Sequence, residues 1–240
     1  MSISPSYREF LERLERYRAR TGMTQAEFAR RAGVTQSQIS KQKKGINIVT
    51  YEVLDMLDKN GCDVNYLLTG KKYARTELDE YFEQCQPEDR DSLLELMIWG
   101  VGRSLMQQEM PRPTNAAGRQ MASERIKYLQ LRLRNAEAKE SVWYGLRAAY
   151  ELSQKQMAEL IRVDIKKYVR IEKGQTKPDA EILLEIYERW GMAPNVILER
   201  RNGDLQALND LWRELHESRR MRVLKLIQFS EALFFKKEAN

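Results

Sequence analysis

The chain has 240 residues, of which 32% are charged, with a formal net charge of +6, two cysteines and a single histidine, His216. One histidine excludes a His-based metal cluster or a Ser-His-Asp arrangement within one chain, and no glycine-rich phosphate loop is present, so no catalytic residue, metal or cofactor is expected. Cys62 and Cys85 lack paired spacing, and neither a signal peptide nor a bilayer-spanning apolar run is found, which predicts reduced thiols, a cytosolic setting and no membrane partner.

Residues 7–20 read as an amphipathic helix with Phe10, Leu11, Leu14 and Tyr17 inward. The next stretch, MTQAEFARRAGVTQSQISKQKKG at 23–45, reads as helix, glycine turn and helix. Thr24 is an N-cap, Glu27 faces the positive dipole end, and Phe28, Ala29 and Ala32 form the inner stripe of a helix from about Gln25 to Ala32. Gly33 supplies the left-handed turn, Val34 fills the angle between the helices and Thr35 caps the second helix. There Ile39 is the one large apolar residue, while Gln36, Ser37, Gln38, Ser40, Lys41 and Lys44 face a partner. Such a face suits the major groove, where Gln pairs with adenine and Lys reaches guanine or phosphate; the plain alternative is a solvated polar face. Val53, Leu54, Leu57 and VNYLLTG at 64–70 predict two closing helices.

The 23–45 segment resembles the helix-turn-helix of the lambdoid phage repressors, Cro proteins and wider Xre-type regulators, nearly residue by residue. The resemblance implies a five-helix DNA-binding domain, a phosphate contact for Gln25 that also braces the recognition helix, and base contacts for Gln36, Ser37 and Lys41. Relatives bind inverted half-sites as two-fold dimers. They also close the motif with an apolar residue, Glu, one residue and Gly, the Glu pairing with an Arg of the first helix.

A second copy follows 129 to 130 positions later, so the chain reads as a tandem duplication. Leu14, Arg18, Gln25, Ala29, Val34 and Gly45 align with Trp143, Arg147, Gln154, Ala158, Val163 and Gly174, and Asn65 with Asn195. The match continues from Leu78 against Leu208, with Phe82 on Trp212, Leu93 on Val223 and Leu96 on Leu226. The expected fold is all-α: two lambda-repressor-like helix-turn-helix domains, each followed by a helical tail. The domains are 1–75, acidic tail helices 76–110, linker and leading helix 111–138, a diverged second domain 139–203 and tail helices 204–240. PRPTNAAG at 111–118 has linker composition. From Gln120 onward Ile126, Leu129, Leu133 and Ala136 favour a helix, although Leu129, Leu131 and Leu133 also alternate as a strand would. Ala117-Gly118 matches the dipeptide at which many phage repressors cleave themselves, but no β-rich domain with a Ser-Lys dyad follows, and it is read as linker.

The copies diverge at telling positions. Arg162 replaces the turn glycine, costing about 1 kcal/mol if the left-handed conformation persists; the turn is otherwise rebuilt. Ile165 stands in place of Gln36, leaving an apolar contact for a thymine methyl, while Gln154, Lys166, Lys167, Arg170 and Lys173 predict a phosphate-binding face. A structural or dimerisation role for this copy is the alternative. Ile171, Glu172, Gly174 and Arg147 keep the closing set, whereas the first copy has Gln42, Lys43, Gly45 and Arg18. Two like charges cannot be buried, so either the helix end is loose or Arg18 and Lys43 turn out towards phosphates.

Residues 1–75 carry 14 basic and 8 acidic side chains and residues 76–110 carry 2 and 9. The basic head, with Arg30, Arg31, Lys41, Lys43, Lys44, Lys71 and Lys72, predicts salt-dependent affinity for double-stranded DNA. Arg119, Arg125, Lys127, Arg132 and Arg134 either touch DNA or dock on acidic tail residues. The expected protein is a cytoplasmic, nucleoid-associated, sequence-specific regulator, more a repressor than an activator, acting by operator occupancy and open to a protein antagonist. An antitoxin-like or antirepressor-like protein that chiefly binds another protein is the competing reading. A homodimer is expected, with Leu93, Leu94, Met97, Ile98, Trp99, Leu224, Ile227, Phe229, Leu233, Phe234 and Phe235 forming either its interface or intrachain core.

Overall fold

The structure, a computed structural model, describes residues 4–107, 116–134, 141–199 and 203–234. Among these the regular elements are all helical, and no helix is long and apolar enough to cross a membrane. Two compact units emerge, each visited twice by the chain: Met1–Tyr73 with Ser153–Leu198, and Ala74–Leu152 with Glu199–Asn240.

The first unit begins with α1 (Pro5–Arg20), where the Ser4 side chain accepts from the Tyr7 amide and Pro5 takes the first-turn position that needs no N–H. Tyr7 and Phe10 are fully buried, and the Tyr7 hydroxyl accepts from the Val49 amide at 2.7 Å. Helix α2 (Gln25–Arg31) is capped by Thr24 and packs on α3 (Gln36–Lys43). Helices α4 (Tyr51–Lys59) and α5 (Val64–Thr69) follow, with Val53, Leu54, Leu57, Leu67 and Leu68 buried. Arg13 ties α1 to α5, donating from Nε to the Leu67 carbonyl (2.7 Å) and from Nη2 to that of Leu68 (2.8 Å).

The returning segment adds α10 (Gln154–Leu160), α11 (Ile165–Glu172), α12 (Ala180–Trp190) and α13 (Pro194–Ile197). Helix α10 packs on α11, α12 meets α1, and α5 meets both α12 and α13. The Ala180 amide donates to the Val49 carbonyl at 3.0 Å, and the Asn195 amide donates to Asn65 Oδ1 at 3.0 Å. Left-handed backbone at Gly22, Gly33, Gly45 and Gly61 recurs at Glu151, Arg162, Gly174 and Gly191.

Arg162 is informative because the turn is not rebuilt. Its φ is 56° against 66° at Gly33, and Val163 donates to Ala158 at 3.0 Å just as Val34 donates to Ala29. A Cβ in this region costs about 1–2 kcal/mol, partly offset by the greater freedom glycine has in the unfolded chain. The 3.7 Å ion pair of Arg162 with Glu185 leaves the arginine mostly exposed and contributes little. Arg162→Gly is expected to raise stability by about 0.5–1 kcal/mol, read as a higher urea midpoint with unchanged slope.

The second unit contains α6 (Glu77–Gln84), α7 (Arg90–Met106), α8 (Ala116–Arg134), α9 (Val142–Ala149), α14 (Gly203–Arg213) and α15 (Glu217–Phe234). Helix α7 is central, packing on α6, α8, α14 and α15. Close approach explains two of its residues: a Cβ at Gly102 would lie 2.9 Å from Ile126, and one at Gly100 would lie 3.1 Å from Val223. Residues 116–118, expected in the linker, are the first turn of α8; residues 111–115 and 136 lie outside the described residues. Leu129 and Leu131 are helical, which settles the helix-or-strand alternative there. Polar groups pair where α14 meets the start of α6: Asn209 Nδ2 donates to Asp79 Oδ2 at 3.1 Å, the Thr76 hydroxyl bonds Asn209, and Trp212 Nε1 donates to Glu77 at 2.9 Å.

Of the apolar tail residues, Leu93, Leu94, Met97, Ile98 and Ile227 are buried in this unit, and Leu224 is half-buried. Trp99 and Phe229 stay 50% and 64% exposed, whereas the side chains of Leu233, Phe234 and Phe235 lie outside the described residues. Arg125 pairs with Glu214 at 2.6 Å, Lys127 with Glu151 at 3.2 Å and Arg132 with Glu199 at 3.3 Å, so these cations dock on acidic residues of their own unit. The side chains of Arg119 and Arg134 lie outside the described residues.

Candidate nucleic-acid interface

The start of α3 is built locally. Thr35 Oγ1 accepts from the Gln38 amide (3.1 Å) while Gln38 Oε1 accepts from the Thr35 amide (2.7 Å), a reciprocal capping box that satisfies two otherwise orphaned N–H groups. Thr35 and Gln38, expected at the DNA, are therefore first of all capping residues. Gln36, Ser37, Gln38 and Lys41 are exposed, Ser40 is half-buried, and Lys44 is exposed at the helix end.

The opposite face of α3 holds the helix in place. Ile39 is buried, and a small cavity of about 30 Å³ beside it is lined by Leu11, Leu14, Phe28 and Gln42 among others. Gln42 is polar, whereas the buried residue 129 positions further on is Ile171. Gln42 is only 4% exposed and is satisfied by donating from Nε2 to the Ile48 carbonyl at 3.2 Å. Helix α3 thus divides into a docked side of two residues and an outward side of amides, hydroxyls and amines.

The expected clash of Arg18 and Lys43 is resolved by neither a loose helix end nor outward rotation. Glu15 lies between them: Arg18 Nη2 is 2.5 Å and Lys43 Nζ is 3.0 Å from Glu15 Oε1. The Arg18 guanidinium, and after it Lys43, hold the Glu15 carboxyl below its usual range. Arg18 also donates to the Met23 carbonyl at 2.6 Å, and Arg147 donates to the Leu152 carbonyl at 2.9 Å in the same relation. A carboxylate whose folded pKa lies below the unfolded one stabilises above about pH 4.3, and the contribution disappears as pH falls through the folded value. Glu15→Gln is expected to cost about 1 kcal/mol or less at pH 7, since the pair is partly solvated. Urea denaturation at pH 7 and at pH 3 should show the difference closing at the lower pH.

The same exchange has a second effect. Gln154 Nε2 donates to Glu172 at 2.5 Å, and the Tyr168 hydroxyl donates to the other oxygen at 3.2 Å. Lysine at 43 offers no acceptor in the corresponding place. The Nε2 of Gln25, at the first position of α2, is buried and has no hydrogen-bond partner among the described residues. An unsatisfied buried donor costs about 1–3 kcal/mol, which an acceptor arriving from outside would recover.

Among the remaining cations, Arg30 and Arg31 lie 2.8 and 2.7 Å from Glu27, and Arg30 first, then Arg31, bring its carboxyl down to about 2. Lys71 stands over the Tyr187 ring and Lys72 over that of Tyr66. On α11, Asp164 caps the helix by accepting from the Lys167 amide, and Lys167 Nζ is bound to Asp179 at 2.9 Å. Lys166, Arg170 and Lys173 are exposed, as is Ile165 at 45%. The structure thus gathers Gln25, Gln36, Ser37 and Lys41 on one helix pair and Lys166, Arg170 and Lys173 on another, while Lys43, Lys167 and Gln154 are engaged within the protein.

Residues 9–59, from within α1 to the end of α4, match the model of a family described as a helix-turn-helix domain. No curated protein and no solved structure matches the chain. The N-terminal helices therefore form a helix-turn-helix domain, the architecture of a DNA-binding regulator.

Proposed function

We propose that the protein is a sequence-specific transcriptional regulator of the lambda-repressor-like, Xre type, which represses by occupying its operator. The observation that carries this reading is the division of α3 into a buried anchor, Ile39, and an exposed polar face of Gln36, Ser37 and Lys41. Set in the major groove, that face offers the amide that pairs with adenine and the amine that reaches guanine. Gln25 supports the placement, because its unpartnered buried amide donor sits at the start of α2, where a phosphate oxygen would complete it.

The second helix pair, α10–α11, is a diverged copy of the first. Four left-handed positions recur at the repeat spacing, and Thr24 and Ser153 cap the leading helices alike. With Ile165 in place of Gln36 and with Lys166, Arg170 and Lys173 outward, its share is phosphate binding with sparse base readout. The exposed Trp99 and Phe229 favour an additional protein contact on the other unit, the surface an antagonist would use. Duplex binding by wild type and the Q36A/K41A variant tests the function: the variant should lose preference for the selected site, and a retained preference would refute the reading.

A further inference from the structure

We infer that a single chain, without a second copy, is the DNA-binding species, and that α3 and α11 of one molecule engage two unequal half-sites of the same duplex. The inference rests on the proposed function, because it requires α3 to dock on DNA.

A two-fold contact has a signature: a residue meets its own counterpart. In the first unit Asn65 and Asn195, equivalent under the repeat spacing, are joined by a 3.0 Å hydrogen bond, and α5 meets α13, its own counterpart. The second unit carries the signature separately. Asp79 and Asn209, also equivalent, meet at 3.1 Å, and α7 packs on its counterpart α15. A joint of two-fold character is thus made within one chain, once in each unit.

The joint in the first unit leaves the reading faces uncovered. It runs through α1, α5, α12, α13 and the backbone bond between Val49 and Ala180. Gln36, Ser37, Lys41, Lys166, Arg170 and Lys173 are all exposed. The two faces also differ chemically. One presents Gln36 and Ser37, the other Ile165 and Lys166, with Lys167 neutralised by Asp179. An exposed isoleucine at the start of a recognition helix is poorly placed in water but complementary to a thymine methyl. One half-site therefore calls for hydrogen-bonding base edges and the other for a methyl group flanked by phosphates, so a palindrome would satisfy only half of the molecule. The ligand is a non-palindromic B-form duplex with two unlike half-sites.

The test uses the full chain and a duplex selected by it from a random library. Native mass spectrometry should give one chain per duplex, and hydroxyl-radical footprinting should show two protected windows on one face of the helix. R170A/K173A should weaken binding by about tenfold and erase protection in one window only, and Q36A/K41A should erase the other. Both variants alter exposed residues, and matching circular dichroism and thermal melts confirm that they fold. Two chains per duplex on a symmetric motif, or one window insensitive to R170A/K173A, overturns the single-chain inference and leaves the function standing. Failure to enrich any duplex, or full binding by Q36A/K41A, overturns both.

Discussion

Replacing Gln36 and Lys41 together by alanine is expected to cost specific duplex binding about 2–6 kcal/mol, from about 1–3 kcal/mol for each lost base contact. Both side chains are exposed on α3, and alanine is the best helix former, so the fold should be unaffected or slightly stabilised. The loss should fall unequally. Binding to a scrambled duplex depends on charge and should decline only by the share that Lys41 contributes, whereas the preference for the selected site should collapse. Competition binding at one fixed salt concentration separates the two quantities. A protein that used this surface for a protein partner would show little change in either.

Ile39→Ala is expected to act in the opposite way, through the fold. Ile39 is 6% exposed and, with Gln42, is all that α3 buries. Truncating a buried isoleucine costs about 2–5 kcal/mol, towards the upper end where surrounding side chains cannot collapse into the gap. The small cavity already present among Leu11, Leu14 and Phe28 would grow, and Gln42, tied to the Ile48 carbonyl, cannot move in to fill it. Urea denaturation should show the loss directly. Duplex binding should fall with it, because a recognition helix without its anchor no longer holds its polar face in one orientation. A stability loss under about 1 kcal/mol would mean that α3 is held by something other than this contact.

The helix-turn-helix was legible because its determinants are local. Thr24, Gly33 and Thr35 each act within a few residues of their own position, and the structure places a cap, a left-handed turn and a cap there. The outward face of α3 was legible for a related reason, since a helix with one large apolar residue can bury only one side. Glu15 was not. Arg18 and Lys43 read as a like-charged pair in the sequence, and the third charge becomes their partner only once α1 and α3 are packed together. The orphaned donor of Gln25 likewise needs three dimensions to be seen. The tails show the limit most clearly: the spacing of Leu93, Met97 and Ile227 announces burial but carries no information about which helix covers them, and α7 and α15 prove to pack on one another. At Arg162 the sequence posed the right question, and the surrounding hydrogen bonds decided it by holding a strained conformation in place.

The regulator reading requires the outward face of α3 to lie against base edges in the major groove. Dimethyl sulfate protection of the selected duplex measures this most directly, because the reagent methylates guanine at N7, on the major-groove edge. Wild-type protein should shield guanine N7 within the half-site bound by α3, and Q36A/K41A, added at a concentration that still occupies the duplex, should leave it reactive. Unshielded N7 in the wild-type complex, or equal shielding by both proteins, would rule out base contact by this face of α3.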